Sequence, residues 1–481
     1  MASILIQNGD VIDGMGNEPQ RGVDVLIEDN RIADVRPAGA GRSENDAARR
    51  IDATGKTVMP GLIDAHCHMT YGNSMTQEEQ DIFTSVEGRT LRAAWNLEKV
   101  LAAGVTGISQ PGGSYFIGVA LREGIEAHRL KGPRMTSAGR YITTSNGLTD
   151  WYPDDAGTVE GMIGIRCNTL DEMLAEVRSQ VKAGVDFIKL ADSPYGEYQS
   201  FRDEELVAIA DLAHQLKKRC TIHARGDAEV NASARAGFDW IMHGNSMTKE
   251  TVELLAEKDI PLVPTILLIE QWAVHGPSIG SPRPIVDGCR KMLETTAESL
   301  HLAHAAGVKF VIGTDSGFAM TPYGEWHAKE LELLMHYAGL SELEAIQAAT
   351  FNAGLTLNLE GEVGGIAPGM LADVIVVDGD PSEDITVLQD HDKIETIILD
   401  GEIVDVDREL EAWPNEPSYV YATRYLTRET VARAEAPVRF GDDADLDATD
   451  ASAGSSNGAG SDDERAGHPA TPPMAGDPIA E

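Results

Sequence analysis

Two histidines separated by one residue close the segment Asp64-Ala65-His66-Cys67-His68. If that segment ends a β-strand, both imidazoles leave the same face of the backbone, because strand side chains alternate. Cys67 is then turned to the opposite face as a packing residue. A lone His-x-His is a weak signal, but other apolar runs close on single ionisable residues in the same way. Lys189 stands in Phe187-Ile188-Lys189-Leu190 and His223 in Thr221-Ile222-His223-Ala224. His243 stands in Ile241-Met242-His243-Gly244, and Asp315 in Gly313-Thr314-Asp315-Ser316. Imidazoles and a carboxylate gathered in one place suit Zn²⁺, with Mn²⁺, Co²⁺ and Fe²⁺ as alternatives. Coincidental polar residues of the core are the competing reading.

Lys189 looks wrong for a metal site, since an ammonium only donates hydrogen bonds. Buried beside cations it would lose its proton. The neutral amine can then take up CO₂ as a carbamate, an anionic oxygen ligand able to bridge two metals. Taken alone, Lys189 reads as one half of an ion pair with a neighbouring acid; within this set the carbamate reading takes precedence.

Such residues meet only in a fold that gathers the ends of separate strands. From Pro60 onward, apolar runs alternate with helical stretches. Eight runs can be counted: Gly61–Ala65, Val105–Ser109, Arg134–Ala138, Val185–Leu190, Cys220–Ala224, Trp240–His243, Pro261–Ile266 and Val308–Gly313. Amphipathic segments such as Glu87–Ala103, Thr169–Ala183, Asp203–Lys218 and Lys291–Ala306 fall between them. Eight βα units over 60–359 predict an α/β chain with a closed (β/α)₈ barrel, whose functional side chains stand at the C-terminal strand ends. A doubly wound open sheet is the competitor.

Ser3–Gln7, Val23–Glu28 and Arg31–Val35 read as short strands joined by the turns Asn8-Gly9-Asp10 and Asp29-Asn30. Strand patterning returns at 371–378 and 395–406. A small β-sandwich domain built from 1–59 and 360–410 is therefore expected. A C-terminal extension over 411–440 follows. Residues 441–481 hold ten acids and one Arg among Gly, Ala, Ser and Pro. That composition buries too little to offset its ordering entropy and predicts a disordered acidic tail.

The chain has 481 residues with 39 Lys+Arg against 78 Asp+Glu, a formal net charge of −39. Such a charge repels phosphate backbones and anionic lipid surfaces, which argues against nucleic-acid and membrane-surface work. Only 13 of the basic residues are Lys. An acid-rich, Lys-poor chain fits adaptation to concentrated intracellular salt, where self-repulsion is screened within about 3 Å at 1 M. Cys67, Cys167, Cys220 and Cys289 form no CxxC pair, so neither a disulfide framework nor a thiolate zinc site is expected. Without a basic n-region or a long apolar run, the chain reads as cytoplasmic.

Taken together, PGLIDAHCH (60–68), IKL (188–190), HA (223–224), HG (243–244) and GTDSG (313–317) resemble the metal-dependent amidohydrolase superfamily. EAIQAATFNA (344–353) and GGIAPGMLADVIVVDGD (364–380) extend the likeness, which covers roughly 3–406. Within the superfamily the chain is most similar to the imidazolonepropionase-like branch that includes Xaa-Pro dipeptidases. The resemblance implies two divalent ions, zinc first. His66, His68 and Asp315 would hold the buried ion and His223 and His243 the more exposed one, with carboxylated Lys189 and a hydroxide bridging them. It implies hydrolysis of an amide, peptide-like or cyclic amide C–N bond of a small molecule. Asp315 would be the general base and then the general acid. The branch's usual His in the loop after strand three is replaced near Leu148, and strand two ends in Gln110-Pro111-Gly112-Gly113, so dipeptide specificity does not transfer.

Substrate contacts are expected from Trp151, Tyr152, Arg140, Arg225 and His327, with Arg166 as another carboxylate-binding candidate. His301, His304 and His336 read as polar helix faces. A mononuclear deaminase is the enzymatic alternative, and Lys189 speaks against it. A lactone or carbamate hydrolase shares the same centre. A non-catalytic metal-binding scaffold would have eroded ligands, whereas all six positions are intact. A homo-oligomer is compatible with such an enzyme, though no pattern marks an interface.

Overall fold

Pro60 separates two kinds of sheet. The computed structural model describes residues 3–40, 49–157 and 159–406 together with Arg428 and Val431. Before Pro60 lie β1 (Ser3–Val11), β2 (Gln20–Glu28), β3 (Arg31–Pro37), β4 (Arg49–Asp52) and β5 (Thr57–Pro60). Asp29, at φ 54°, takes the left-handed turn that pairs β2 with β3; Asp tolerates this conformation better than most residues.

The barrel portion contributes β6 (Leu62–Asp64), β7 (Val105–Gln110), β8 (Arg134–Ser137), β9 (Tyr141–Thr143) and β10 (Gly164–Arg166). It continues with β11 (Phe187–Ala191), β12 (Arg219–Ala224), β13 (Trp240–His243) and β14 (Leu262–Val263). The chain then returns to the first sheet with β15 (Val374–Val377), β16 (Ile394–Leu399) and β17 (Glu402–Ile403).

Strands from both chain ends share one mixed sheet of eight, ordered β17-β16-β15-β5-β1-β2-β3, with β4 on β1. The join is β15 against β5, antiparallel at Val374↔Pro60. Ile4, Ile6, Val25, Ile27, Val58, Val374 and Val376 form a core of their own. The expected sandwich is thus one continuously hydrogen-bonded sheet among the described residues.

Seven of the eight expected barrel runs are strands, and their pairing is parallel. The closed eight-stranded ladder is corrected by the structure. The parallel strands fall into β6-β7-β8 and β10-β9-β11-β12-β13-β14, so the array is barrel-type but its ladder is not continuous. Two local causes are visible. The third strand breaks over 138–140, where the Gly139 carbonyl turns to accept from Gly113 N at 3.2 Å. The eighth run, 308–313, makes an isolated bridge, Leu262↔Phe310, and the hydrogen bond Ala65 N to Ile312 O at 3.0 Å. Its last residue, Gly313, is wedged between β14 and the loop after the first strand: a Cβ there would come within 2.5 Å of Val263 Cγ1 and 2.7 Å of His66 Cβ.

The helices follow their end signals. Thr169 and Glu172 form a reciprocal capping box at the start of Leu170–Ala183, and Gly184, at φ 93°, ends it. Ser85 caps Val86–Ala102, and Ser341 with Glu344 boxes Glu342–Ala349. The longest helix among the described residues, Arg283–Ala305, packs against Ile266–His275. Among the described residues no helix is long and apolar enough to cross a membrane. The 411–440 extension and the 441–481 tail lie outside the described residues, apart from Arg428 and Val431.

Candidate metal centre

β6 ends on Asp64, and this carboxylate builds the site without entering it. Its Oδ1 accepts from His66 N at 2.9 Å and Thr314 N at 3.1 Å. Its Oδ2 accepts from Thr314 Oγ1 at 2.5 Å and His327 Nδ1 at 2.7 Å. The loop after the first strand is thereby clamped to the 313–316 segment. His68 N donates to Ser316 O at 2.8 Å across the same seam.

The clamp brings His66, His68 and Asp315 together. Their nearest ligand atoms are separated by 2.9 Å (His66 Nε2 to His68 Nε2), 3.4 Å (His66 Nε2 to Asp315 Oδ1) and 3.2 Å (His68 Nε2 to Asp315 Oδ1). All three residues are buried. Cys67 faces away, its Sγ 3.6 Å from Met69 Sδ, as alternation requires. His68 Nδ1 bonds to Gly112 O at 2.9 Å, which leaves Nε2 to offer the lone pair.

The other expected ligands face the same space. The His223 and His243 ring centres are 4.2 Å apart, and His243 is 5.2 Å from His66. His243 Nδ1 pairs with Thr265 Oγ1 at 2.5 Å, and Nε2 of both His223 and His243 is buried without a partner. Thr265 (φ 53°) begins the helix Ile266–His275, whose first N–H groups donate to the buried Glu330 at 2.9 and 2.8 Å. Burial pushes that carboxyl well above the usual range.

Burial likewise pushes the imidazoles of His66, His223 and His243 well below their ordinary range, keeping them neutral with lone pairs available. For Asp315, burial would raise the carboxyl, but His66, His68 and Arg225 outweigh it and hold it below the usual range. Lys189 is 1% exposed and makes no ion pair among the described residues, although Asp315 acts on it through space. Its Nζ lies 2.5 Å from Met242 Sδ. Burial, opposed by Asp315, brings the amine down to about 7.

Two tyrosines absent from the expectations complete the wall. Tyr71 stacks on His68 at 4.1 Å, and Tyr141 OH is 3.1 Å from His68 Nε2 and paired with Tyr71 OH. Tyr141 stands where the broken third strand resumes, a position that periodicity does not mark.

The expected substrate contacts divide. Arg225 follows β12 by one residue, two beyond His223, and its Nη1 donates to Asn245 Oδ1 at 2.7 Å. Arg140 is turned to Glu176 on the outer helix, 3.6 Å away, and Arg166 is held by Asp150 and Asp154 at 3.0 and 2.9 Å. Trp151 and Tyr152 line a cleft with Thr143, Thr149, Met162 and Arg166, and none of the four centre histidines lines it. His327 has both ring nitrogens engaged, with Asp64 and with Gly324 N at 3.1 Å, so it positions Asp64. His304 pairs with Glu344 and His336 packs on Tyr337, as polar helix faces do.

A barrel-type α/β array whose strand ends gather neutral imidazoles around an ionised carboxylate defines a metal-dependent hydrolase. The chain belongs to the amidohydrolase family, whose model matches residues 57–404. It hydrolyses C–N bonds. It is 28% identical to ochratoxinase of Aspergillus niger over 438 residues, 83% of this chain and 86% of that protein. It is 25% identical to a 5′-deoxyadenosine deaminase of Methanothermobacter thermautotrophicus over 85% and 94% of the two chains. A solved Xaa-Pro dipeptidase with bound methionine in its active site is 29% identical, with TM-score 0.73, covering 84% of this chain and 100% of that one.

Proposed function

We propose that the chain hydrolyses an amide, peptide-like or cyclic amide bond of a small molecule on a centre of two divalent ions, zinc first. The observation that carries this reading is the buried convergence of His66, His68 and Asp315 beside two imidazoles whose Nε2 atoms lack partners. Buried lone pairs without donors are costly and ask for a cation. The donor set fits the group. His66, His68 and Asp315 would hold one ion, and His223 and His243 the other, with the carbamate of carboxylated Lys189 as a further oxygen donor. When bound, such ions acidify water and polarise a carbonyl. Asp315 takes the proton from the attacking water and returns it to the leaving amine. Gly112 O and Thr265 Oγ1 hold the rings of His68 and His243. Tyr71 and Tyr141 keep bulk water from the His68 side.

Lys189 without an acid partner favours the carbamate over the ion pair, and with it the two-ion centre over a mononuclear deaminase. Metal analysis tests this. Wild type purified in high salt is expected to carry about two ions per chain, and Lys189→Ala about one. One ion per chain in both refutes the bridged centre. Similarity to ochratoxinase and to a Xaa-Pro dipeptidase supports screening N-acyl amino acids, dipeptides and cyclic amides.

The same reading takes 1–59 with 360–410 as one domain and 60–359 as the other, and makes the chain a salt-adapted enzyme. Its four free cysteines suit a reducing cytoplasm.

A further inference from the structure

We propose that His214, Cys220 and Asp239 form a separate metal site, for a single thiophilic divalent ion such as Zn²⁺, at the start of the strands whose far ends carry His223 and His243. The site lies outside the two-ion centre and does not depend on it. Cys220 is the second residue of β12 and His223 the fifth. Three residues apart on one strand, about 10 Å, they leave opposite faces. Cys220 therefore points to the outer, helix-covered side. Asp239 immediately precedes β13, and two bonds fix it against Cys220: Asp239 N donates to Cys220 O at 3.0 Å, and Cys220 N donates to Asp239 Oδ2 at 2.8 Å. His214 stands in the last turn of the helix Asp203–Gln215. Its Nε2 is 2.9 Å from Asp239 Oδ2 and 3.9 Å from Cys220 Sγ. One ligand atom from each of the three residues lies within 4.8 Å of the other two.

The geometry separates a metal site from a nucleophile relay. A Cys-His-Asp relay needs the acid on one ring nitrogen and the thiol on the other. Here acid and thiol both converge on Nε2, as they do around one ion. Zinc bonds of about 2.0–2.3 Å in a tetrahedron set the ligand atoms about 3.3–3.6 Å apart. The observed 2.9 and 3.9 Å straddle that spacing, so shifts of a few tenths of an ångström suffice.

Cys220 is buried, whereas the side chains of His214 and Asp239 are 42% and 25% exposed. The site thus opens on one side, which admits an ion and leaves a fourth position for water. Burial, and then the charge of Asp239, push the Cys220 thiol well above its ordinary value, so it stays protonated until a cation arrives. On binding, the thiol proton leaves to solvent and His214 carries its own proton on Nδ1. The three ligands come from three separate elements, which is why no CxxC spacing marks them. An ion there ties a helix end to two strand starts, at the barrel face where conserved features serve stability rather than chemistry.

The test titrates Co²⁺ into metal-free full-length protein in high salt and follows the thiolate-to-cobalt charge-transfer absorption. None of the ligands expected at the two-ion centre is a thiol, so that centre is silent in this band. Wild type is expected to develop the band and saturate it at about one ion per chain. Cys220→Ser and His214→Gln should each lose it. In equilibrium dialysis against zinc, wild type should hold about one ion more than either variant. No band in wild type, a band that survives either substitution, or equal zinc counts overturns the site and leaves His214–Asp239 as an ordinary ion pair. If Cys220→Ser does not fold, His214→Gln, at an exposed helix end, decides alone.

Discussion

Asp64→Asn is the sharpest perturbation of the site's frame. The side chain keeps its shape and its Oδ1, so the bonds from His66 N and Thr314 N survive. The new amide nitrogen replaces Oδ2, which accepts from Thr314 Oγ1 and His327 Nδ1. The threonine hydroxyl can rotate and accept instead. His327 cannot adapt, because its Nε2 already accepts from Gly324 N and its Nδ1 must carry the proton. Two N–H groups are then opposed in a place where both side chains are at most 1% exposed. Losing a charge-assisted bond and stranding a donor costs about 2–3 kcal/mol. With an unfolding entropy of about 0.8 kcal/mol/K for a body of this size, Tm falls by about 3 °C. The loosened clamp lets the His66–His68 loop drift from Asp315, and such supporting contacts are worth about 10- to 100-fold in metal affinity. Thermal melts and chelator titration in high salt measure the two effects. A variant within about 1 °C of wild type that holds its metal equally well would show that Asp64 is not the clamp.

Glu330→Gln should leave one of the Ile266 and Leu267 N–H groups unpaired, cost about 1–3 kcal/mol and lower metal occupancy through Thr265 and His243; an unchanged Tm and metal content would rule this out. Burial, and then the charge of Asp192, push the Glu229 carboxyl up to about 7 from 4.5. The folded state therefore holds a proton the unfolded chain releases. The associated stability, about 3 kcal/mol, is complete below about pH 4.5 and lost as pH rises through about 7. Glu229→Gln should flatten that part of the stability profile, and parallel profiles would contradict it. With a net charge of −39, Tm should fall on dilution from 1 M to 0.1 M salt, as the screening length grows from about 3 to about 10 Å; an unchanged Tm would count against salt adaptation.

Alternation and end signals are local, and much of the molecule follows from them. They place both His66 and His68 on one face and Cys67 behind it, put Lys189, His223 and His243 on barrel strands, and mark helical stretches such as Glu87–Ala103 and Thr169–Ala183. What passes between segments far apart in the chain belongs to the tertiary structure alone. Asp64 meets His327 across 263 residues and Thr314 across 250, and neither contact has a period or a motif. At Gly313 a Cβ would meet Val263 Cγ1 at 2.5 Å and His66 Cβ at 2.7 Å, a crowding between distant segments that strand propensity does not report. Arg140, Arg166 and Arg225 look alike as letters. Only packing decides that two of them pair with carboxylates while the third makes no ion pair among the described residues and donates to Asn245 instead, since pairing depends on which acids the fold brings within reach.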